Sequence, residues 1–535
     1  MNKIKKGFKE PVTISEKQIS DKVFYSISFI EGASVMAIEL IGAKMIAPFY
    51  GNSLYVWASV LGITLGGLAS GYFTGGFLSK KFPKARTLFF VILLATLTVF
   101  IMPEWANVIL KMTLNLNIIM ATLVSCFFFL FPPLFFFGMT SPVIINILTN
   151  DAKTAGKISG NVYAVSTVGG ILMTFLTGFY LIPELGIKTT TYIVAFVLFF
   201  IPLIYFVYIK RYIVPLLILG ILGLLIARKT ITSYKDIISK NIKVHYKTDG
   251  LLGQMLVVDE IKAMKRALYI NNTSQSFMDI PTGRSQWKYV HRIALYSSYK
   301  PEGSKVLICG LGGGNLVNEF QRLGFEVDAV EIDERMEMVA KKYFFMNDDV
   351  NVIIDDARHF IKTCKKKYDI IVFDMTSGEN QPFNLYTQEC FNETKDIMKE
   401  DGIMFLHYQN VLQGEYALAA KSIGKTLKEA GLLCQLIETG FKWNEHSERM
   451  FFISKIPIDL TKQSYKRRDR FADPFNFPVK AHIFIAQYDF SDGMLLTDDK
   501  PIMDFLHLNT LATLRGGSIK QTIPVLLKEK IEILE

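Results

Sequence analysis

Cysteine is scarce in this sequence of 535 residues, and its spacing is uninformative for metal or disulfide chemistry. The five positions, Cys126, Cys309, Cys364, Cys390 and Cys434, lie far apart and form no CxxC pair or His-rich neighbourhood. Disulfide frameworks and structural zinc sites need cysteines at close, paired spacing. The sequence therefore predicts neither a disulfide scaffold nor a metal site.

Charge is sparse before about residue 229, where most of the apolar residues gather, and dense after it. This contrast predicts an all-α polytopic membrane domain over residues 23–229, after a basic cytoplasmic tail at 1–22. The start lacks a clear small-residue cleavage site, so we predict a retained first helix rather than a signal peptide. The net charge of +10 then reflects Lys and Arg that face anionic lipid. A lipid bilayer is the expected partner, and nucleic acid is not.

Windows of about 20 apolar residues predict seven membrane spans. They lie near 24–48, 54–78, 87–103, 118–147, 159–183, 189–208 and 212–227. The distribution of Lys and Arg puts the tail and the even-numbered loops in the cytoplasm, so seven true spans would leave the following soluble part outside. A break at Pro132–Pro133 or a short final segment would return it to the cytoplasm. We expect a multi-pass protein of the cell membrane, with the side of the soluble part left open.

Small residues and acids mark two of these spans. In the second, glycines recur at four-residue spacing (Gly62, Gly66; Gly67, Gly71, Gly75), a pattern that lets helices approach closely. In the first, Glu31, Glu39 and Lys44 are costly in lipid unless they pair or face a polar cavity. We expect close helix packing from the glycines. The charged residues predict either an intramembrane ionisable site or a pairing of Glu39 with Lys44 near the span end.

The soluble part divides into three predicted regions. Two β-rich runs with turn signals predict a small antiparallel sheet over residues 230–300. Alternating strand and helix patterns predict a parallel, doubly wound, Rossmann-like α/β domain over 301–460, with CQLIET and ERMFFISK as late edge strands. A C-terminal extension fills 461–535.

Glycines or an acid follow each of four strands of the predicted sheet, where its ligands bind. The positions are Gly310, Gly312 and Gly314 after the first strand, then Glu331, Asp356 and Asp374. A glycine turn lets a backbone approach a cofactor, a carboxylate at Glu331 suits ribose hydroxyls, and one at Asp356 suits an adenine amino group. A solvated side chain or a helix cap explains any single acid. Four such features in series predict a nucleoside-cofactor site.

Asn315 stands where a GxGxxG turn has its last glycine, which disfavours a nicotinamide dinucleotide. An adenine-contacting acid after the third strand is more typical of S-adenosylmethionine-type enzymes. The sequence therefore predicts a class I S-adenosylmethionine-dependent transferase domain. Asp374, at the end of the fourth strand, would face the reacting atom.

An ordered series of motifs resembles the spermidine synthase (polyamine aminopropyltransferase) family, in its membrane-fused type with an N-terminal multi-pass region. The series covers roughly residues 240–505 and includes TDGLLGQMLVVDE, YINNTSQSF, VLICGLGGGN, VEIDE, VIIDDARHF, YDIIVFD, PFNLYTQECF and LTDDKP. The resemblance implies transfer of an aminopropyl group from decarboxylated S-adenosylmethionine to putrescine or a related amine, giving spermidine and methylthioadenosine. That donor is a co-substrate, so no permanently bound cofactor is implied. Family members are often dimers or tetramers, which makes a homo-oligomer a further expectation.

The resemblance also implies roles for particular residues. Asp374 matches the family's proton acceptor. This assignment makes chemical sense because an alkylammonium, with a pKa near about 10, must lose a proton before it attacks carbon. Tyr289 or His291 lies near the family's polyamine-contacting Tyr-His pair, at a longer spacing from Gln275 than usual. The residues that would line the methylthioadenosine site are Gln254, Glu331, Asp356, Ala357 and Pro382.

Two departures from the family pattern remove acidic residues from the amine-binding half of the site. Gly313 replaces the Asp of a GGGDGG turn, and Ser377 replaces the second acid of a DxxD motif, with Glu379 as a candidate substitute in the same loop. Three functions therefore stay open. They are an aminopropyltransferase with a changed amine acceptor, an S-adenosylmethionine-dependent methyltransferase or other alkyltransferase, and a non-catalytic transporter or sensor with a nucleoside- or polyamine-binding domain.

Overall fold

A computed structural model provides the structure of this chain. It describes residues 19–51, 53–149, 151–209, 241–250, 252–375, 382–408, 417–443, 446–465, 483–484, 488–500, 502–503, 505–506, 522–526, 528–529 and 531. The chain divides into two compact units, the first Met1–Ile46, Tyr55–Asp236 and Leu534–Glu535, the second Ala47–Leu54 and Ile237–Ile533. Most of the predicted tail, the predicted seventh span, Ser377 and Glu379 lie outside the described residues.

Apolar helices make up the first unit, as the sequence predicts. They are α1 Asp21–Tyr50, α2 Leu54–Lys81, α3 Ala85–Met112, α4 Ile118–Phe129, α5 Phe131–Leu148, α6 Ala152–Leu176 and α7 Ile182–Tyr208, with a π-helical turn at Thr177–Leu181. Within the described part of the chain, five helical runs are long and apolar enough to cross a bilayer. Large apolar side chains also point outward, among them Phe73 at 83% exposed. Contact of such side chains with lipid has no free-energy cost, whereas their contact with water is unfavourable.

The predicted fourth span divides into two helices. The division falls at Leu130, between α4 and α5, two residues before Pro132. Proline has no amide hydrogen, and the first turn of a helix is where that hydrogen has no intrahelical partner. The prolines are therefore accommodated at the start of α5 instead of kinking one long helix.

The predicted fifth and sixth spans form one nearly continuous helical run, Ala152–Tyr208, of 57 residues. At about 1.5 Å per residue such a run is far longer than the roughly 30 Å of a bilayer core. The backbone leaves the helical region at Gly186, with φ 78° and ψ 170°. This kink lies within the PELG segment that the sequence assigns to a connection, so the connection is shorter than predicted.

The glycines of α2 make the close helix contact that their spacing predicts. A Cβ atom on Gly71 would lie 2.3 Å from the carbonyl oxygen of Phe135, and one on Gly75 would lie 2.6 Å from that of Met139. Both carbonyls belong to α5, so any side chain here would separate the two helices. Gly62 and Gly66 have nothing within 4 Å of such an atom. One of the two glycine rows is therefore the contact surface.

A buried carboxyl group joins α1 to α6. Glu31 is 4% exposed, and its Oε2 accepts a hydrogen bond from the hydroxyl of Ser166 at 3.0 Å. Gly32, the next residue, packs directly against the Ser166 backbone. The partner of Glu31 is thus a neutral hydroxyl on a neighbouring helix.

The second unit opens with an antiparallel sheet of five strands in sequential order. The strands are β1 Ile242–Thr248, β2 Met255–Glu260, β3 Lys265–Ile270, β4 Thr273–Asp279 and β5 Arg284–Ser285, and helix α8 Lys288–Ser297 follows them. Alternating burial along β4 reflects one face packed on the core and one turned outward. The small antiparallel sheet predicted for this region is confirmed.

An eight-stranded sheet forms the rest of the second unit, in the order β13-β11-β12-β10-β9-β6-β7-β8. Its strands are β6 Lys305–Cys309, β7 Glu326–Glu331, β8 Asn351–Ile354, β9 Tyr368–Phe373, β10 Met398–Leu406, β11 Leu433–Trp443, β12 His446–Ser454 and β13 Ile483–Phe484. Its helices are α9 Asn315–Arg322, α10 Arg335–Phe344, α11 Ala357–Thr363, α12 Gln388–Ile397 and α13 Ala417–Glu429. Five strands are parallel, which confirms the Rossmann-like expectation.

Neither of the two late strands forms an edge of the sheet, contrary to the prediction: β11, which contains CQLIET, lies between β13 and β12. ERMFFISK does not form an edge: β12 lies between β10 and β11 and runs antiparallel to both. The core lies on both faces of the sheet. Along β6, Val306 and Ile308 pack in one apolar cluster, and Leu307 and Cys309 pack in the other. Burial on both faces explains why the central strands read as unbroken apolar runs.

Candidate active site

Asp374 lies at the carboxyl end of the sheet, between the two central strands β6 and β9. It is the first residue after β9, and its amide donates a hydrogen bond to the carbonyl of Cys309, the last residue of β6, at 3.0 Å. Strand order reverses at this point, since β7 continues on one side and β10 on the other. A crevice opens at such a switch point in doubly wound sheets.

Two aromatic side chains hold the carboxylate of Asp374. The phenol of Tyr289, in the first turn of α8, donates to Oδ2 at 2.9 Å, and Nδ1 of His407 lies 2.9 Å from Oδ1. The Tyr289 and His407 rings stack, with centroids 3.8 Å apart and planes 15° from parallel. Three residues remote in sequence thus form one braced group. The Asp374 side chain is 19% exposed, so the group borders solvent.

A third aromatic ring lies close to this group. Tyr386 is 1% exposed, and burial, followed by the charge of Asp374, raises the pKa of its phenol well above the ordinary value. Its hydroxyl therefore stays neutral through the working pH range. Because the phenol stays neutral, it adds no negative charge beside Asp374.

His291, which the sequence offers as the alternative to Tyr289, has other hydrogen-bond partners. It is 5% exposed, donates from Nε2 to the carbonyl of Ser285 at 2.8 Å, and receives the Arg284 guanidinium at Nδ1 at 3.2 Å. Arg284 is itself paired with the buried Glu319 at 3.0 Å. Two residues along a helix is about half a turn, so Tyr289 and His291 cannot face the same side. Of these two residues, Tyr289 is the one that donates a hydrogen bond to Asp374.

The glycine-rich turn between β6 and α9 passes close to Asp374. Gly310 has φ 95°, and a Cβ atom there would lie 2.2 Å from the carbonyl oxygen of Asp374. A side chain at this position would therefore push the carboxylate out of place. Gly312 and Gly314 also have positive φ, and Gly314 is the N-cap residue of α9. The turn thus has the backbone geometry that its glycines predict.

Gly313 is fixed by its neighbours, which explains the missing acid in this turn. A Cβ atom there would lie 2.9 Å from the ring of Phe344, which is fully buried, and 3.0 Å from the Cβ atom of Ser276. The amide of Gly313 donates to the Ser276 hydroxyl at 2.8 Å. An Asp at this position has no room, so the departure from GGGDGG is built into the surrounding core.

Glu331 ends β7 beside the turn. Its Oε2 accepts from the amide of Leu311 at 3.0 Å and its Oε1 from the amide of Asp333 at 2.9 Å. The side chain is 8% exposed, and burial raises its pKa against these two hydrogen bonds, which lower it. The carboxylate is therefore held rigidly at the strand end predicted for a ribose contact.

Asp356 acts as the cap of a helix. One of its oxygens, Oδ1, accepts from the amides of Arg358 and His359 at 2.9 and 3.0 Å, at the start of α11. Ala357 is the first residue of that helix and is 9% exposed. Capping is the alternative role that the sequence allowed for this acid. It fixes the direction of the side chain at the end of β8.

Gln254 is tied to the same edge of the sheet through Arg335. Gln254 is 4% exposed and donates from Nε2 to Asp249 at 3.1 Å. Arg335 donates to the carbonyl of the preceding Gly253 at 3.1 Å and forms a two-contact pair with Asp333 at 2.6 and 2.9 Å. The loop of Gln254 thereby joins the end of β7, close to Glu331.

The contacts of Gln275, Pro382 and the LTDDKP motif relate these residues to the site less directly. Gln275 lies on β4 beside Ser276, which is the residue that contacts Gly313. Pro382 precedes a short 3-10 turn at Phe383–Leu385. Asp498, in the LTDDKP motif, accepts from Arg358 at 2.9 Å and from the Thr387 hydroxyl at 2.6 Å. This acid holds the C-terminal extension against α11 and α12.

Sequence reasoning missed His407. It directly follows β10, and its amide donates to the carbonyl of Phe373 at 2.9 Å, so it lies at the same sheet edge as Asp374. The signal was present in GIMFLHYQ, where a polar residue ends the fifth parallel strand. The rule that selected Glu331, Asp356 and Asp374 applies equally to this strand.

The strand order, with its switch point between β6 and β9, defines a Rossmann-like α/β domain. Residues 289–438 match the sequence profile of the family described as Spermine/spermidine synthase domain. The C-terminal region of this chain thus carries a spermidine synthase domain. The matched range begins at Tyr289 and includes Asp374 and His407.

Two curated relatives and one solved structure illustrate the similarity. The polyamine aminopropyltransferase of Clostridium perfringens is 30% identical over 146 residues, which is 26% of this chain and 52% of that protein. The N-terminal histidine N-methyltransferase of Emericella nidulans is 30% identical over 140 residues, 25% of this chain and 24% of that protein. The spermidine synthase of Thermotoga maritima is 16% identical, with a TM-score of 0.35, over 51% of this chain and 88% of the other. The chain spans about half the length, or less, of these two curated relatives.

Proposed function

We propose that the second unit transfers an aminopropyl group from decarboxylated S-adenosylmethionine to putrescine or a related amine, releasing methylthioadenosine. The observation that carries the proposal is the braced carboxylate of Asp374 beside the glycine turn, within the matched synthase domain. Glu331, Asp356, Ala357, Gln254 and Pro382 are assigned to the nucleoside, and Tyr289 to the amine. Gln275 stays a proposed amine contact.

For this transfer the protein has mainly to position the two substrates and to remove a proton from the amine. A sulfonium is already an activated leaving group, so the amine needs its lone pair and a short approach to the methylene carbon. A carboxylate at the switch point attracts the alkylammonium and orients it. The carbon–nitrogen bond then forms as the carbon–sulfur bond breaks, and sulfur keeps the electron pair.

We further propose that the helical unit anchors this activity in the cell membrane, with the second unit in the cytoplasm. The five long apolar helices and their outward-facing Phe and Leu side chains support an anchor. Residues 1–22 would form the cytoplasmic tail, 23–229 the membrane domain, 230–300 the small sheet, 301–460 the catalytic domain and 461–535 an extension.

The product assay tests the enzymatic proposal directly. Purified full-length protein receives decarboxylated S-adenosylmethionine with putrescine, and in parallel S-adenosylmethionine with the same amine. Methylthioadenosine and spermidine from the first mixture support the proposal. Binding without any product in either mixture would contradict it and favour a sensor or transporter.

An Asp374→Asn variant tests the site. We expect turnover to fall by about 10²- to 10⁴-fold, the range for lost acid–base function, while the dissociation constant for methylthioadenosine changes little. Equal losses in turnover and in nucleoside binding would indicate a structural role for this residue instead.

A methyltransferase is the second candidate, and two observations favour it. One matched relative is named a histidine N-methyltransferase, and Gly313 has no room for the acid that the resembled family carries. Release of S-adenosylhomocysteine from the second mixture, with no methylthioadenosine from the first, would select this candidate.

A further inference from the structure

We propose that Asn272 is a positioning residue that couples the nucleoside site to the last turn of α1, an inference that rests on the proposed nucleoside contact of Gln254. Residues Ala47–Leu54, which include the end of α1, belong to the same compact unit as the two sheets. The side-chain amide of Asn272 donates a hydrogen bond to the carbonyl of Pro48 at 2.8 Å, across 224 residues of sequence. A single side chain therefore joins the five-stranded sheet to the first helix of the chain.

The turn between β3 and β4 consists of Asn271 and Asn272, and both residues are buried. They are 2% and 3% exposed, although hairpin turns ordinarily lie at the surface. Phe49 and Tyr50, which end α1, are buried as well. The hydrogen bond to Pro48 shows that the end of α1 lies against this turn.

The contact satisfies a carbonyl group at a helix end. The last four carbonyls of a helix have no partner within the helix, and Asn272 supplies one for Pro48. Both turn residues have positive φ, 49° at Asn271 and 63° at Asn272. The second position of such a two-residue turn favours glycine. Asn272 departs from that preference, and its side chain makes a contact that glycine cannot make.

The same turn holds the backbone of Gln254. The amide of Asn271 donates to the Gln254 carbonyl at 2.9 Å, and Oδ1 of Asn271 accepts from the Gln254 amide at 3.0 Å. A Cβ atom on Gly253 would lie 2.6 Å from the Asn271 side chain, so the two segments are in close contact. Movement of the turn therefore displaces Gln254, the residue assigned to the nucleoside.

Such a coupling acts in both directions. If the Pro48 contact favours the position of Gln254 that binds the nucleoside, the bound nucleoside must in turn favour the contact at the end of α1. Asp374 is held by Tyr289 and His407, which lie outside this turn. Loss of the contact should therefore change nucleoside affinity rather than kcat.

The test uses Asn272→Gly in full-length protein. Glycine adopts φ 63° more readily than asparagine does, so this variant keeps the turn and removes the hydrogen bond to Pro48. Met264→Gly is the matched control: Met264 also has positive φ, lies in the turn between β2 and β3, and is 52% exposed. Calorimetry measures methylthioadenosine binding, and turnover is followed with decarboxylated S-adenosylmethionine and putrescine. Hydrogen exchange followed by mass spectrometry reports on the amides of Gln254 and Gly51.

We expect Asn272→Gly to raise the dissociation constant for methylthioadenosine about three- to tenfold, the equivalent of one lost hydrogen bond. The KM for decarboxylated S-adenosylmethionine should rise by the same factor, with kcat within about twofold of wild type. The Gln254 amide should exchange faster in this variant. Methylthioadenosine should slow exchange at Gly51 in wild type and not in Asn272→Gly. Met264→Gly should behave as wild type in every one of these measurements.

Two results overturn the inference, and both differ from failure of the proposed function. One is wild-type nucleoside affinity and wild-type Gln254 exchange in Asn272→Gly. The other is a joint loss of kcat and affinity with faster exchange throughout the five-stranded sheet, which would make the contact a support of the fold alone. If wild type binds methylthioadenosine but makes no product, the proposed function fails, and the binding and exchange comparison still decides this inference.

Discussion

The hydroxyl of Tyr289 donates to Oδ2 of Asp374 at 2.9 Å, across 85 residues of sequence. A Tyr289→Phe variant keeps the ring that stacks on His407 and removes only this hydrogen bond. A hydrogen bond to a charged group contributes about 1.5–3 kcal/mol, so kcat should fall by roughly 10- to 100-fold with unchanged nucleoside affinity. Tyr289→Leu removes the stack as well and should lower kcat further. Wild-type turnover in Tyr289→Phe would mean that the phenol does not hold the carboxylate during catalysis.

Gly313 should tolerate no side chain. Gly313→Ala adds a methyl group 2.9 Å from the buried Phe344 ring, and such overpacking typically costs about 1–3 kcal/mol. Thermal unfolding followed by circular dichroism should show a lower midpoint. Gly156→Ala is the control, since a Cβ atom there has nothing within 4 Å and alanine favours the helix, so this variant should not lower the midpoint. Equal midpoints in the two variants would show that the Phe344 ring moves aside at little cost.

Nucleoside affinity should weaken on mild acidification. Burial raises the pKa of Glu331 above the ordinary 4.5, so the folded protein takes up this proton at a higher pH than an exposed Glu does. By linkage, the group favours folding at low pH and loses that contribution as pH rises through the raised pKa. Hydrogen bonds from ribose hydroxyls need the ionised carboxylate of Glu331. Nucleoside affinity should therefore fall as the pH drops through this pKa, whereas the contribution to folding grows.

Calorimetric titration with methylthioadenosine between pH 8 and pH 5 measures this effect. The wild-type dissociation constant should rise toward pH 5. The Glu331→Gln constant should be larger than that of wild type at pH 8 and should not change with pH. A wild-type constant that stays level across this range would separate Glu331 from the ribose.

Asp498 should matter for stability and not for binding. Asp498→Asn weakens the contact with Arg358, which keeps its second partner Glu393, and Asp498 is 42% exposed. We therefore expect a loss of about 1 kcal/mol in the free energy of unfolding, with methylthioadenosine affinity unchanged. Asp499→Asn, one residue along, retains an acceptor for Thr497 and should be neutral. A weaker nucleoside affinity in Asp498→Asn alone would place this acid at the binding site.

Local pattern predicted most of the second unit, because strand–helix alternation and strand-end residues are properties of neighbouring positions. The antiparallel direction of β12 was not predictable in this way, since apolar alternation is the same for either strand direction. The choice between Tyr289 and His291 depended on which face of α8 meets the sheet. The contacts of Tyr289 and His407 with Asp374 span 85 and 33 residues of sequence. Sequence spacing alone carries no such information.

The same limit applies to Gly313. The sequence identified the missing acid, but the reason for it lies in Phe344 and Ser276, which reach the turn from a different helix and a different sheet. In the first unit, the glycine spacing of α2 predicted close packing, and only the structure distinguished the Gly67, Gly71, Gly75 row from Gly62 and Gly66. Packing partners decide such cases, and they come from distant parts of the chain.

The Phe344 ring has a consequence for how this sequence can evolve. An acid at position 313 requires a smaller residue in place of Phe344. A smaller residue at 344 without that acid leaves a cavity in the core. Each change alone is unfavourable, and only the pair together is accommodated. An acidic residue at position 313 therefore needs two mutations that depend on each other, so the packing of the protein interior restricts which residues this turn can carry.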